Sequence, residues 1–126
     1  MIQMSEWTYS QGTGVLRDPQ GNEAAVGYSG NGEGLNNCEM QNVKQVGPIP
    51  QGLWVMGSPY NSKNVGPYAI PLKPVPLTNT YGRSAFLIHG DNNRGDRSAS
   101  HGCIILPRKV RNFIVDSGVK ILRVTP

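Results

Sequence analysis

Apolar and polar positions alternate in short runs along most of this chain. W-T-Y-S at 7–10 and V-L-R at 15–17 flank Q-G-T-G, and A-A-V-G-Y-S resumes at 24–29, so the N-terminal third reads as a β-meander. D-P-Q-G at 18–21 has the proline and glycine placement of a type I turn. G-N-G-E-G-L-N-N at 30–37 is too rich in glycine and asparagine for a regular element and predicts a surface loop. G-P-I-P-Q-G at 47–52 gives a rigid lead-in to a strand L-W-V-M-G at 53–57. Five prolines between 58 and 82 predict only short, interrupted strands there, with A-I-P-L at 69–72 the best candidate. S-A-F-L-I-H at 84–89 and C-I-I-L at 103–106 are apolar on both faces and predict buried, central strands. Residues 106–118 give the one credible helix, with Pro107 in its first turn, Val110, Phe113 and Ile114 as its apolar stripe and Gly118 at its end. V-K-I-L-R-V at 119–124 alternates as a closing strand. The fold class is therefore mainly β with one short helix near the C-terminus, and residues 1–126 read as a single domain.

Composition narrows the class. With 37% apolar residues the chain is too apolar for disorder. No run approaches the roughly 18 apolar residues of a bilayer span, so stable membrane insertion is not expected. M-I-Q-M-S-E-W-T-Y carries neither a basic leader nor an apolar stretch, so no signal peptide is read there. The net charge of +4 is uneven. Residues 1–80 hold four basic and five acidic side chains, whereas residues 81–126 hold eight and three, which favours an anionic partner for the C-terminal half. No basic run with interleaved aromatics points to nucleic acid.

Both histidines and one of the two cysteines fall in H-G-D-N-N-R-G-D-R-S-A-S-H-G-C, residues 89–103. His89 ends one buried strand and Cys103 begins the next. Antiparallel pairing of those strands would bring imidazole and thiol together on stiff mounts. The chemistry needs that pair: a free thiol is only slightly ionised at neutral pH, and an imidazole can take its proton and then hold the thiolate. N–H groups around Gly102 and Cys103 suit an oxyanion hole, and Ser100 and the loop carbonyls suit orientation of the imidazole. The plainer readings are Cys103 as a small buried hydrophobe and His101 as a loop residue bonded to backbone. His89, Asp91, His101 and Cys103 include zinc-type ligands but lack metal-site spacing, so no metal or other cofactor is expected. Two cysteines, Cys38 and Cys103, do not make a disulfide framework. R-G-D at 94–96 matches an adhesion tripeptide by chance composition.

S-H-G-C at 100–103, behind a histidine that closes an apolar strand, resembles the signature of L,D-transpeptidase catalytic domains of the YkuD type. I-H-G-D-N at 88–92 and A-S-H-G-C-I at 99–104 resemble the branch of L,D-transpeptidase effectors delivered by type VI secretion. The His89–Ser100 gap is shorter than in typical members, and Ile105 and Leu106 stand where many carry a polar residue. The resemblance implies a β-sandwich and a peptidoglycan stem-peptide substrate. Cys103 would be the nucleophile and His89 its partner, with Ser100, His101 and Gly102 completing the motif. It also implies a cognate immunity protein and action in a target-cell periplasm. Arg83, Arg94, Asp91, Asn92, Tyr68 and Trp54 are candidates to line the cleft, with an arginine holding a substrate carboxylate. The non-enzymatic rival is a β-rich wall- or partner-binding domain with an inert or metal-binding Cys/His cluster. Papain-like amidases put cysteine before histidine, the reverse of the order here, and sortase-type enzymes place histidine far upstream.

Overall fold

A computed structural model describes residues 5–126; residues 1–4, where the leader reading begins, lie outside it. The strands are β1 (Trp7–Ser10), β2 (Val15–Arg17), β3 (Glu23–Val26), β4 (Tyr28–Ser29), β5 (Gly52–Met56), β6 (Tyr60–Ser62), β7 (Gly66–Pro74), β8 (Leu87–His89), β9 (Ile104–Ile105) and β10 (Ile121–Thr125). One helix, α1 (Arg108–Asp116), precedes the last strand. The strands form an open mixed sheet in the order β3-β2-β1-β10-β5-β7-β8-β9-β4, with β6 paired to β7 off that path. The expectation of a mainly β chain with a short C-terminal helix is met.

Period-two burial sets the core. Trp7 and Tyr9 of β1 face Leu122 and Val124 of β10 across a parallel pairing, and all four are buried. Trp54 of β5 meets Phe86 edge-on, ring centroids 5.0 Å apart at 69°. Ile70, Ile88, Ile104 and Ile114 complete the interior beneath β8 and β9.

Three expectations are corrected. The stretch 24–29 is two strands broken at Gly27, because a Cβ there would stand 2.2 Å from the Ile105 carbonyl oxygen. The chain leaves β2 at that point and joins β9 instead. The proline-rich stretch holds β7, nine residues and the longest strand. Pro71 falls where β5 has ended after Met56, and its carbonyl takes the Gly57 N–H at 2.8 Å, so its missing N–H interrupts no pairing. β7 then serves both halves of the sheet: Leu72–Pro74 pair with β5, Ile70 and Pro71 with β8. In α1, Val110 and Ile114 face inward but Phe113 is 57% exposed. Its place on the inner face goes to Arg111, buried, whose guanidinium donates to the carbonyls of Leu106, Pro67 and Tyr68 at 3.1, 2.9 and 2.8 Å.

Candidate active site

β8 and β9 lie side by side but parallel, not antiparallel, with Ile88 opposite Ile104 and His89 opposite Ile105. Loop 90–103 therefore crosses from the end of one strand to the start of the other. Extending the register sets Cys103 beside Leu87, so His89 and Cys103 project from the same face, about 7 Å apart along the strand direction. Both line one open groove of about 490 Å³, with Ala85, Leu87, His101 and Gly102 around the sulfur and Tyr60, Ser62, Asn64 and Val65 at the far end. The pair predicted from the sequence is brought together, though by the opposite strand sense.

His89 is buried, and its Nδ1 lies 2.8 Å from the Gly90 carbonyl oxygen. A carbonyl can only accept, so Nδ1 carries the proton and Nε2 is left as the basic nitrogen. Burial holds the imidazole below its ordinary pKa, against the opposing pull of the Gly90 carbonyl; Arg111 pushes in the same direction as burial. The Cys103 thiol is 3.8 Å from the Ala85 carbonyl oxygen. Burial raises its pKa, while the Leu87 N–H and the Arg83 charge pull it back. At neutral pH the resting pair is therefore a thiol and a neutral imidazole, not an ion pair.

The rest of the motif supports these two residues from behind. Ser100 is fully buried; its hydroxyl donates to the Cys103 carbonyl at 2.5 Å and accepts the Gly30 and Gly102 N–H groups at 2.9 and 3.1 Å. It holds the loop around the nucleophile and does not orient the imidazole, a role that falls to Gly90. The Gly102 N–H is thereby engaged and is not free as an oxyanion donor. Gly102 has φ +133, and a Cβ there would stand 2.6 Å from Arg83 Nη2 and 3.1 Å from Phe86 Cε1. Glycine is needed for its backbone conformation and for packing. His101 is exposed on the groove wall, with its carbonyl facing Arg83 Nη2 at 3.4 Å.

The candidate substrate contacts fare differently. Arg83 is buried, and its two terminal nitrogens donate to the carbonyls of Gln41, Pro48, Gly47 and His101, so it clamps loop 41–48 to the nucleophile segment rather than holding a ligand. Trp54 is fully buried, with Nε1 donating to the Pro50 carbonyl, and is core. Tyr68 is not on the groove; its ring lies under the Arg108 guanidinium at 4.3 Å. Arg94 and Asn92 are exposed on the loop and also lie off the groove, Asn92 donating to Ser98 Oγ at 3.1 Å. Asp91 accepts the Tyr28 hydroxyl at 2.6 Å and the Asn92 N–H at 2.9 Å, so it braces the loop.

Sequence reasoning missed the bracing residues of β4 and its neighbour. Tyr28 Oη also accepts the Ala99 N–H at 3.2 Å, gripping both ends of loop 91–99; burial, then the Asp91 bond, push its pKa up to about 12. Ser29 Oγ donates to the Gly102 carbonyl and accepts the Ile49 N–H. Asn31 Nδ2 is within 2.8 Å of both the Gln45 and Ser100 carbonyls. The only signal in the sequence was that these polar residues follow a short apolar run. Both cysteines are free. Among the described residues no three histidine, cysteine or acidic side chains cluster as a metal site, and no helix is long and apolar enough to cross a membrane.

A groove with a thiol and an oriented imidazole defines a candidate cysteine-dependent site on a mixed β-sheet. Comparison with protein families matches residues 23–125 to the Tlde1 domain. The chain belongs to the Tlde1-domain family, which is a family of type VI secretion effectors. No curated protein and no solved structure matches the chain.

Proposed function

We infer that the chain is a cysteine acyltransferase acting on the tetrapeptide stems of peptidoglycan, with L,D-carboxypeptidase activity, exchange of the terminal D-amino acid, or both. The observation that carries this reading is the convergence of Cys103 and His89 on one groove, with His89 held by Gly90 in the tautomer that leaves Nε2 basic. Family membership and the I-H-G-D-N and A-S-H-G-C-I motifs support the substrate class.

In this mechanism Cys103 gives its proton to His89 as the sulfur attacks the carbonyl at the L-centre of diaminopimelate. Neutral His89 at rest suits it as the base. The imidazolium then protonates the departing amine of D-alanine, and a thioester remains on Cys103. Water or an incoming amine attacks that thioester, its proton passes to His89, and the thiol is regenerated. Arg83 stabilises the transient thiolate through space, because its hydrogen bonds are already committed to carbonyls. As a type VI effector the protein would act in the periplasm of a target cell, and its producer would carry an immunity protein that covers the groove.

Release of D-alanine from purified tetrapeptide muropeptides, followed by mass spectrometry, tests the reading. Wild type should release it, and Cys103→Ala and His89→Ala should each lose nearly all of that release, because members of a cooperating pair fail as a unit. Release that survives in Cys103→Ala overturns the assignment.

A further inference from the structure

Beside the groove, at His101, lies a smaller recess of about 150 Å³, lined by Lys44, Gln45, Gly82, Arg83, Ser84 and His101. Gln45, Ser84 and His101 line both spaces, so the two adjoin. No acidic side chain faces the recess. The one ion pair among the described residues joins Arg123 to Glu6, which leaves Lys44 without a carboxylate partner. Arg83 adds a buried positive charge from below, its terminal nitrogens already committed to carbonyls. The recess is positively charged and lacks its counter-charge.

Position and size narrow what it takes. Ser84 precedes Ala85, whose carbonyl touches the thiol, and His101 lies two residues ahead of Cys103. The recess is thus one or two residue steps, about 4–8 Å, from the sulfur. At about 150 Å³ against about 490 Å³ for the groove, it is less than a third of that space and suits the small end of a substrate better than a long stem. The opposite end of the groove, along β6 and the turn after it, is left for the longer donor stem. Two non-glycine residues at its rim, Gln45 and Ala85, hold φ of 65° and 64°, and Asn31 Nδ2 fixes the Gln45 carbonyl at 2.8 Å. Backbone strain of this kind is retained where a ligand site needs a fixed shape.

We propose that this recess is the leaving-group and acceptor subsite, binding the α-carboxylate of a single small amino acid through Lys44. The proposal rests on the acyl-transfer reading above. In the forward step the C–N bond breaks as the C–S bond forms, the thiol proton passes through His89 to the amine, and a free amino acid departs from the recess. In the reverse sense a free D-amino acid docks by its carboxylate and loses its ammonium proton to solvent. Its amine then attacks the thioester and passes a proton to His89, the C–S bond breaks, and His89 hands that proton on to the sulfur. One pocket therefore serves release and exchange.

The test compares tetrapeptide donors ending in D-alanine and in D-alaninamide. Wild type should prefer the free acid about tenfold or more in kcat/KM, and Lys44→Gln should bring that ratio near one. Lys44→Gln should also raise the KM for free D-amino acid in exchange by about tenfold. A Lys44→Gln protein that keeps the acid-over-amide ratio refutes the subsite. Binding without turnover gives a separate readout: D-alanine should shift the His101 ring signals in an NMR titration of wild type but not of Lys44→Gln, and D-alaninamide should shift neither. Equal shifts from D-alanine and its amide, or none, refute the subsite even if no D-alanine is ever released. A wild type that binds D-alanine in this way yet releases none from muropeptides would refute the acyl-transfer reading, and with it the leaving-group role, while leaving Lys44 as the carboxylate contact of the recess.

Discussion

Replacing Arg83 by methionine keeps the apolar stem that packs on Phe86 and removes the guanidinium, which lies 5.2 Å from that ring. Four carbonyls lose a donor. Gln41 is half-buried and His101 exposed, so their oxygens regain water, but Gly47 and Pro48 are buried and cannot. Two stranded carbonyls at about 1–3 kcal/mol each put the cost at roughly 2–6 kcal/mol. That is a large share of the 5–15 kcal/mol typical of a domain, and a fall in Tm of roughly 10–20 °C should follow in thermal or urea unfolding. The same variant removes the positive charge that opposes the burial of the Cys103 thiol, so the pH profile of Cys103 alkylation should move to higher pH. Arg83→Lys separates the two effects. A single ammonium cannot serve four carbonyls, so stability should still fall, while the retained charge should return the alkylation profile toward wild type. An Arg83→Met protein with wild-type Tm and an unmoved alkylation profile would refute the clamp.

Gly102→Ala puts a Cβ into Arg83 and Phe86 at φ +133 and should cost at least about 2 kcal/mol in urea unfolding and most of the D-alanine release. Tyr28→Phe cuts the two bonds that pin loop 91–99 and should speed hydrogen exchange and proteolysis in that loop before it alters global Tm by more than a few degrees. Because burial lowers the His89 pKa, the unfolded chain binds that proton first as pH drops below about 6.5; stability should fall on the acid side, and His89→Gln should flatten that limb in pH-dependent unfolding. Phe113→Ser, on an exposed helix face, should change stability by no more than about 0.5 kcal/mol.

The parts of the fold legible in the sequence were those governed by local period. Trp7–Ser10, Val15–Arg17 and Ile121–Thr125 alternate because one face is buried, and α1 stops at Asp116, two residues ahead of Gly118, whose φ of +72 suits glycine. The hidden parts depended on distant partners. Nothing local says that β7 can carry three prolines, because that turns on where β5 stops. The sense of the β8–β9 pair was equally hidden, since a loop long enough for either connection joins strands of three and two residues. At the site, Cys103 and His89 were readable from residue type and placement. The roles of Arg83, Ser100, Tyr28 and Asn31 were not, because each depends on a partner far along the chain, most of them backbone groups that leave no trace in residue identity, as when Ser100 ties the nucleophile segment to the Gly30 N–H.

Intact mass spectrometry of the protein quenched in acid, during turnover of a tetrapeptide muropeptide, tests the central claim most directly. The account predicts an adduct equal to the donor minus D-alanine, carried by Cys103 and absent from Cys103→Ala. Donor consumed with no adduct in wild type, or the same adduct found on Cys38, would contradict it.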